Sequence, residues 1–137
     1  MRRMRISYDR NDVDREKIVQ WLTTYAYWAK GRPAEVINQS IDNSVTISVL
    51  DDEGSFVGFG RLVTDGITFA WLCDVFADPE RRGQGIGKLV AQGAMDYFKN
   101  GEKIFFLLRT NDAHELYRRH GFEEVAGPEN WMSLRLT

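Results

Sequence analysis

The stretch of sequence that decides the fold reads Arg81-Arg82-Gly83-Gln84-Gly85-Ile86-Gly87-Lys88. It follows an apolar run at 69–77 and precedes a helical pattern. Glycines at alternate positions let the backbone approach a ligand closely, because no Cβ stands in the way. A turn that feeds a helix presents unpaired N–H groups, and the helix dipole adds partial positive charge to them. The stretch therefore predicts a phosphate-binding loop between a strand and a helix. Its plainer interpretation is a tight strand-to-helix turn.

Two well-known phosphate loops do not match this stretch. A Walker A loop would need glycine where the chain has Arg82, and Ser or Thr where it has Leu89. A dinucleotide-binding fingerprint would need glycine at Lys88 and a βαβ unit around it. Both kinds of nucleotide site are therefore disfavoured.

Two blocks of sequence together resemble the GNAT N-acetyltransferase superfamily. Residues 82–87 fit its acetyl-coenzyme A signature, Gln/Arg-x-x-Gly-x-Gly/Ala. Residues 113–122 resemble its later helix, which carries Leu-Tyr and is followed by Gly-Phe. The resemblance is good over residues 69–122 and thin before them.

The order of patterns predicts one α/β domain spanning residues 1–137. The resemblance implies the GNAT fold, a mixed, mainly antiparallel central sheet flanked by helices. Apolar periodicity and turn residues predict the following elements: a strand at 6–8, a helix whose apolar face is Ile18, Trp21, Leu22 and Tyr25 with Asp12 or Asp14 as its cap, a helix from Pro33 carrying Val36, Ile37 and Ile41, strands at 45–49, 56–63 and 69–77, a helix at 88–98, a strand at 103–108 covered on both faces, a helix at 112–120, and a final hairpin of 123–125 and 131–136.

Composition excludes several classes of protein. A chain of 137 residues with 43% hydrophobic residues fits one domain with its own core. The net charge of −2 argues against nucleic acid as a partner. No apolar run approaches the length of a membrane helix, and the single Cys73 cannot form an internal disulfide. We therefore expect a soluble cytoplasmic protein with no membrane partner, and a homodimer stays open.

The resemblance implies acetyl-coenzyme A as the cosubstrate and no metal. The loop amides, with Arg82, would hold the pyrophosphate, and the backbone of the preceding strand would hold the pantetheine arm and polarise the thioester. The chain departs from the family at Thr110, where many members have Asn, although Asn111 follows directly. The predicted coenzyme-binding residues are Val75, Phe76, Ala77, Arg82, Gly83, Gln84, Gly85, Ile86, Gly87, Lys88, Thr110 and Asn111.

Acetyl transfer to an amine needs a base for the amine, a hydrogen-bond donor for the thioester oxygen, and a proton donor for the leaving thiolate. Tyr117 matches the family's helix tyrosine, a usual donor to that thiolate. Its alternative role is a core tyrosine, because Leu116 and Phe122 look buried.

Asp74 is the predicted base, because a carboxylate in an apolar strand is costly unless it is paired or solvated. Burial would raise its pKa toward a useful value, and its alternative role is structural. His114, one helical turn before Tyr117, is a second candidate. Cys73 suggests an acyl-cysteine route, but it fits a small core residue better.

The acceptor is predicted to be a primary amine, on a small molecule or a peptide, that attacks directly in a ternary complex. The family's acceptor pocket draws on the first two helices and their connection, which here carry Tyr25, Tyr27, Trp28, Lys30 and Arg32. The aromatic rings suit an apolar or cationic acceptor, whereas the two cations suit an acidic one. The alternative function is a non-catalytic acyl-coenzyme A-binding sensor or interaction module.

Overall fold

A computed structural model describes residues 3–136 and shows one five-stranded sheet with helices on both faces. The strands lie in the order β1-β2-β3-β4-β5; the pairs β1–β2, β2–β3 and β3–β4 are antiparallel, and β5 is parallel to β4. This confirms the predicted fold class. The elements are β1 (Arg5–Ser7), α1 (Arg15–Tyr25), α2 (Ala34–Asp42), β2 (Val45–Leu50), β3 (Phe56–Thr64), β4 (Phe69–Ala77), α3 (Ile86–Asp96), β5 (Phe105–Leu107) and α4 (His114–Arg118).

Helices α1 and α2 cover one face of the sheet. Asp14 caps α1 by accepting a hydrogen bond from the backbone N–H of Lys17 at 3.1 Å. Tyr25 and Val36, which the sequence pattern grouped with the apolar residues of these helices, are exposed instead. The apolar stripe of each helix is narrower than the sequence pattern suggested. The residues that these helices bury are Ile18, Trp21, Leu22, Ile37 and Ile41.

The β3–β4 ladder contains a bulge. Phe59 pairs with Phe76, but the next paired position joins Arg61 to Cys73, so β4 carries one extra residue. Asp74 lies in this bulge with φ 53°, a left-handed conformation that residues other than glycine rarely adopt. The bulge therefore changes the direction of the Asp74 side chain relative to plain strand alternation.

Helix α3 packs very closely against β3 because two glycines face it. A Cβ at Gly58 would lie 2.3 Å from Cγ2 of Ile86, and a Cβ at Gly60 would lie 2.5 Å from Cγ1 of Val90. Ile86 and Val90 are one turn apart and buried, so the first turns of α3 rest directly on the strand backbone.

The sheet ends differently from the prediction on its β5 side. β5 is short, and the side chain of Phe105 is about half exposed, so the expected strand covered on both faces is wrong. The predicted final hairpin is also wrong, because residues 123–136 contain no strand in the structure. A period-two pattern makes a strand only where a neighbouring strand offers hydrogen bonds, and none reaches this segment within residues 3–136.

Substituting Gly60→Ala should lower the free energy of unfolding by about 1–3 kcal/mol, because the new methyl group overlaps the stiff Val90 side chain. Denaturant titration measures this change. The matched control repeats the substitution in a Val90→Ala background, where the methyl group has room. An equal loss in both backgrounds would contradict close packing as the cause.

Candidate functional site

The glycine loop reaches α3 through two left-handed residues. Gly83 and Gly85 have φ 81° and 78°, and a Cβ at either would meet nothing within 4 Å. Glycine is therefore required there by the backbone conformation, and the space above the loop is open. Gly85 is the N-cap of α3, and no side chain caps that end. The first N–H groups of α3 thus remain available to an anionic ligand.

The charged side chains around the loop divide into two groups. Arg82 and Lys88 are exposed beside it, as is Gln84. Arg81 instead donates from Nη2 to Oδ2 of Asp51 at 2.9 Å and so joins the β2–β3 turn to the start of the loop. Arg81 is therefore a structural cation, and Arg82 and Lys88 are those placed to meet a phosphate.

The pairing of β4 with β5 stops well before the end of β4. Their ladder ends at the pair Trp71–Leu107, so within residues 3–136 no strand pairs with the rest of β4 on that side. Val75 and Ala77 pack toward α3, whereas Phe76 packs toward α1, 5.9 Å from the ring of Trp21. This strand leaves main-chain groups available along one edge, as the prediction for these three residues requires.

Tyr117 lies on α4, and its ring is buried against Phe122. Within residues 3–136 its hydroxyl has no hydrogen-bond partner. Burial, with smaller contributions from Asp112 and Tyr27, raises the pKa of Tyr117 to about 12. Tyr117 is therefore a core residue, and its hydroxyl is protonated at neutral pH, which is the form that a proton donor needs.

The segment between β5 and α4 contacts the connection between α1 and α2. The hydroxyl of Tyr27 accepts a hydrogen bond from the backbone N–H of Asn111 at 3.1 Å. The hydroxyl oxygen of Thr110 accepts from the backbone N–H of Ala113 at 3.0 Å and so stabilises the start of α4. Thr110 keeps its own O–H as a donor.

Asp74 is 5% exposed, and both of its carboxylate oxygens accept hydrogen bonds. Arg61 donates from Nε to Oδ2 at 2.7 Å, Arg32 donates from Nη1 to both oxygens, and Trp28 donates from Nε1 to Oδ1 at 2.8 Å. Burial alone would raise the pKa of Asp74. The hydrogen bond and charge of Arg61, with the charge of Arg32, outweigh burial and hold that pKa below its usual value. The expectation of a raised pKa is therefore wrong.

Arg61 is the residue of this cluster that the sequence analysis missed. It also donates from Nη1 to the hydroxyl of the buried Ser44 at 3.0 Å. A signal existed, because Arg61 is a lone cation inside the apolar strand β3, in the strand that pairs with the one carrying Asp74. Two isolated opposite charges in neighbouring buried strands predict an ion pair.

The two other candidates for chemistry lie in different surroundings. His114 is exposed at the start of α4. Burial raises the pKa of the Cys73 thiol to about 11, and its Sγ lies 3.8 Å from the backbone oxygen of Arg61. A thiol that stays protonated is a poor nucleophile, which disfavours the acyl-cysteine route.

Two kinds of site or segment are missing from the described part of the chain. Residues 3–136 hold no group of three or more His, Cys, Asp or Glu side chains that could bind a metal ion together. No helix in the same range is long and apolar enough to cross a membrane.

Comparison with known proteins places the chain in a family. The sequence profile of the Acetyltransferase (GNAT) family matches residues 15–122, so the chain belongs to that family. The match begins well before residue 69, where the resemblance read from the sequence became clear.

Solved structures and curated relatives agree with this assignment. A chain from Xanthomonas campestris pv. campestris that is assigned to the GNAT family is 34% identical, with a TM-score of 0.89 over 98% of this chain and 94% of that one. A Mycobacterium tuberculosis protein solved with CoA shares the fold at 22% identity, with a TM-score of 0.68 over 90% of this chain and 74% of that one. An uncharacterized N-acetyltransferase from Methanocaldococcus jannaschii is 35% identical over 69 residues, which are 47% of this chain and 30% of that protein. A Gibberella zeae protein described as an acetyltransferase is 29% identical over 83 residues, which are 47% of its length. The chain therefore spans less than half the length of these two curated relatives.

Substituting Asp74→Asn should lower the free energy of unfolding at pH 7 by ~2 kcal/mol, because it leaves the partly buried Arg32 and Arg61 without a partner charge. The folded-state pKa lies below the unfolded value, so this stabilisation is fully present above about pH 4 and is lost as the pH falls through the folded-state pKa. Melting temperatures measured from pH 7 to pH 2.5 should therefore converge at the acid end. A gap between parent and variant that stays constant would contradict the charge pairing.

Proposed function

We propose that this chain is an N-acetyltransferase that moves an acetyl group from acetyl-coenzyme A to a primary amine in a ternary complex. The observation that carries the proposal is the uncapped start of α3 at Gly85, directly beside the open edge of β4. An anion site and a free strand edge side by side suit a ligand with a pyrophosphate and an amide-bearing arm. Membership of the GNAT family supports the same reading.

Binding of the coenzyme is assigned to backbone groups and two cations. The amides from Gly83 to Lys88 would face the pyrophosphate, with Arg82 and Lys88 adding charge. The main chain of Val75–Ala77 would pair with the pantetheine arm and place one N–H at the thioester oxygen, where negative charge develops. Acetyl-coenzyme A supplies the activated acetyl group.

Tyr117 is proposed to protonate the departing thiolate. Its raised pKa keeps the proton on the hydroxyl over the whole neutral range, and packing against Phe122 fixes the ring. Within residues 3–136 the hydroxyl makes no hydrogen bond that would have to break first, so it can bond directly to the leaving group.

The role of Asp74 is proposed to be positioning. A carboxylate held in its charged form by Arg32 and Arg61 is a weak proton acceptor, so burial does not make it the base that the sequence suggested. Its bonds to Trp28 and Arg32 instead hold the α1–α2 connection against β4. The proton of the amine is then assigned to water or to His114.

The acceptor is proposed to bind at that connection. Tyr25, Tyr27 and Trp28 are exposed there, and Arg32 uses only Nη1 toward Asp74. The remaining nitrogens of Arg32 suit an acidic group on the acceptor, whereas the rings suit a cationic or apolar one.

A panel of primary amines tests the function, with release of free coenzyme A thiol as the readout. The panel pairs each amino acid or peptide amine with an analogue that lacks its carboxylate. Turnover with any amine separates an enzyme from the alternative, a non-catalytic acyl-coenzyme A sensor. Coenzyme binding without turnover across the panel would favour that sensor.

Coenzyme affinity should fall about tenfold in Gly85→Asp relative to Gly85→Asn, because a negative charge at a helix N-terminus opposes a bound phosphate by ~1–2 kcal/mol. Both side chains tolerate the left-handed conformation of Gly85 better than other residues, so the pair differs mainly in charge. Calorimetry with acetyl-coenzyme A measures the affinities. Equal affinity of the two variants would remove the loop from the coenzyme site.

Substituting Tyr117→Phe keeps the ring and removes the hydroxyl, so turnover should fall by roughly 10²-fold while coenzyme affinity is retained. The best amine of the panel is used under conditions where chemistry limits the rate. The melting temperature serves as the control for packing against Phe122. Turnover equal to that of the parent would refute the proton-donor role.

A further inference from the structure

The guanidinium group of Arg32, in the α1–α2 connection, is held in place on one side and open on the other. Its Nη1 donates to both carboxylate oxygens of Asp74, at 3.1 and 2.9 Å. Within residues 3–136 its Nε and Nη2 make no hydrogen bond, and the side chain is 25% exposed. Nε and Nη2 form one edge of the planar group, and such an edge binds a carboxylate through two parallel hydrogen bonds.

The charges of the cluster around Asp74 do not cancel. One carboxylate lies between two guanidinium groups, those of Arg32 and Arg61, and the third donor, Trp28, is neutral. Arg61 is directed inward, because its Nε bonds to Asp74, its Nη1 bonds to Ser44, and its side chain is only 16% exposed. Neither cation pairs with a second carboxylate of the described chain. The surplus positive charge therefore lies on the open edge of Arg32, where an anionic ligand would balance it.

Aromatic rings lie beside this edge. Tyr25 and Trp28 are both exposed, and the ring of Tyr25 stacks on that of Phe76 with the centroids 6.2 Å apart. Phe76 belongs to the part of β4 whose main chain is proposed to hold the pantetheine arm. The rings and the open edge of Arg32 thus lie next to the proposed position of the thioester, where an acceptor has to bind.

The balance of interactions at the connection favours an acidic acceptor over one with a second cationic group. A charge-assisted hydrogen bond from a guanidinium is stronger than the attraction of a cation to an exposed ring. Lys30 is exposed in the same connection and has no ion pair among residues 3–136. A further cation on the acceptor would be repelled by Lys30 and Arg32 together.

We propose that the acceptor is an amine that carries a carboxylate and an apolar or aromatic body close to the amino group, as an aromatic amino acid does. Arg32 binds the carboxylate through Nε and Nη2, and the rings of Tyr25 and Trp28 contact the apolar body. Because Asp74 already fixes the guanidinium, little side-chain entropy is lost when the acid binds. The inference rests on the proposed function, since it names the acceptor of that same site.

Acetylated compounds test the inference without any need for turnover. N-acetylphenylalanine and N-acetylphenethylamine share the ring and the amide and differ in the carboxylate. Calorimetry in the presence of coenzyme A should show that N-acetylphenylalanine binds the parent at least about tenfold more tightly. Equal affinity of the two compounds, or no detectable binding of N-acetylphenylalanine, would overturn the inference.

Substituting Arg32→Gln should abolish this difference in affinity. Arg15→Gln is the matched control, because Arg15 also pairs with one aspartate, Asp42 at 2.6 Å, but lies at the start of α1, away from the connection. Melting temperatures show whether both variants are folded. Arg32→Lys takes the place of an Arg32→Gln variant that does not fold, since it keeps a charge beside Asp74 and loses the two-bond edge. A folded variant that keeps the full difference would contradict the assignment to Arg32.

Turnover separates this inference from the proposed function. Phenylalanine should be acetylated with a KM at least about tenfold below that of phenethylamine and with a similar kcat, because the carboxylate contributes to binding and not to the chemical step. Thiol release that is indifferent to the carboxylate would contradict the inference and leave the proposed function intact. If no amine is acetylated, the proposed function fails, and the affinities of the two acetylated compounds still decide whether Arg32 binds an acid.

Discussion

The close approach of α3 to β3 is the constraint on which the rest of the site depends. Two strand positions, Gly58 and Gly60, give up side-chain packing so that Ile86 and Val90 can rest on the backbone. The first turn of the helix is thereby held against the strand, and its N–H groups are left without a side-chain cap. The pair Arg81–Asp51 holds the other side of the loop. Between these two attachments, the path of the loop is set by the left-handed conformations of Gly83 and Gly85.

A second constraint acts within β4. The bulge places Asp74 in a conformation that costs a non-glycine residue about 1–3 kcal/mol, and the bonds from Arg61, Arg32 and Trp28 offset that cost. The same bonds attach the α1–α2 connection to the strand. Because one strand thus borders the glycine loop and anchors the connection, the positions proposed for coenzyme and acceptor are set by a common reference.

Local features of the sequence predicted the fold well, and long-range features were harder. The loop, the helix after it and the antiparallel strands each follow from neighbouring residues, and the structure confirms them. The surroundings of Asp74 do not follow from neighbouring residues, because its partners Arg61 and Arg32 lie 13 and 42 residues away in the sequence. The bulge also shifts the register between β3 and β4 at this point. Residues 131–136 were predicted as a strand because their apolar residues alternate. The alternation is present, but within residues 3–136 no strand lies beside this segment, and that depends on the tertiary arrangement and not on the local sequence.

The attachment of the α1–α2 connection has an evolutionary consequence. Side chains, not shared strands, join this connection to the rest of the site: Trp28 and Arg32 bond to Asp74, and Tyr27 bonds to Asn111. Mutations that change the length or the side chains of this connection need not disturb the sheet or the glycine loop, provided that the buried carboxylate of Asp74 keeps a partner. Lineages that descend from such a chain can therefore diversify the molecules they recognise while inheriting one unaltered framework.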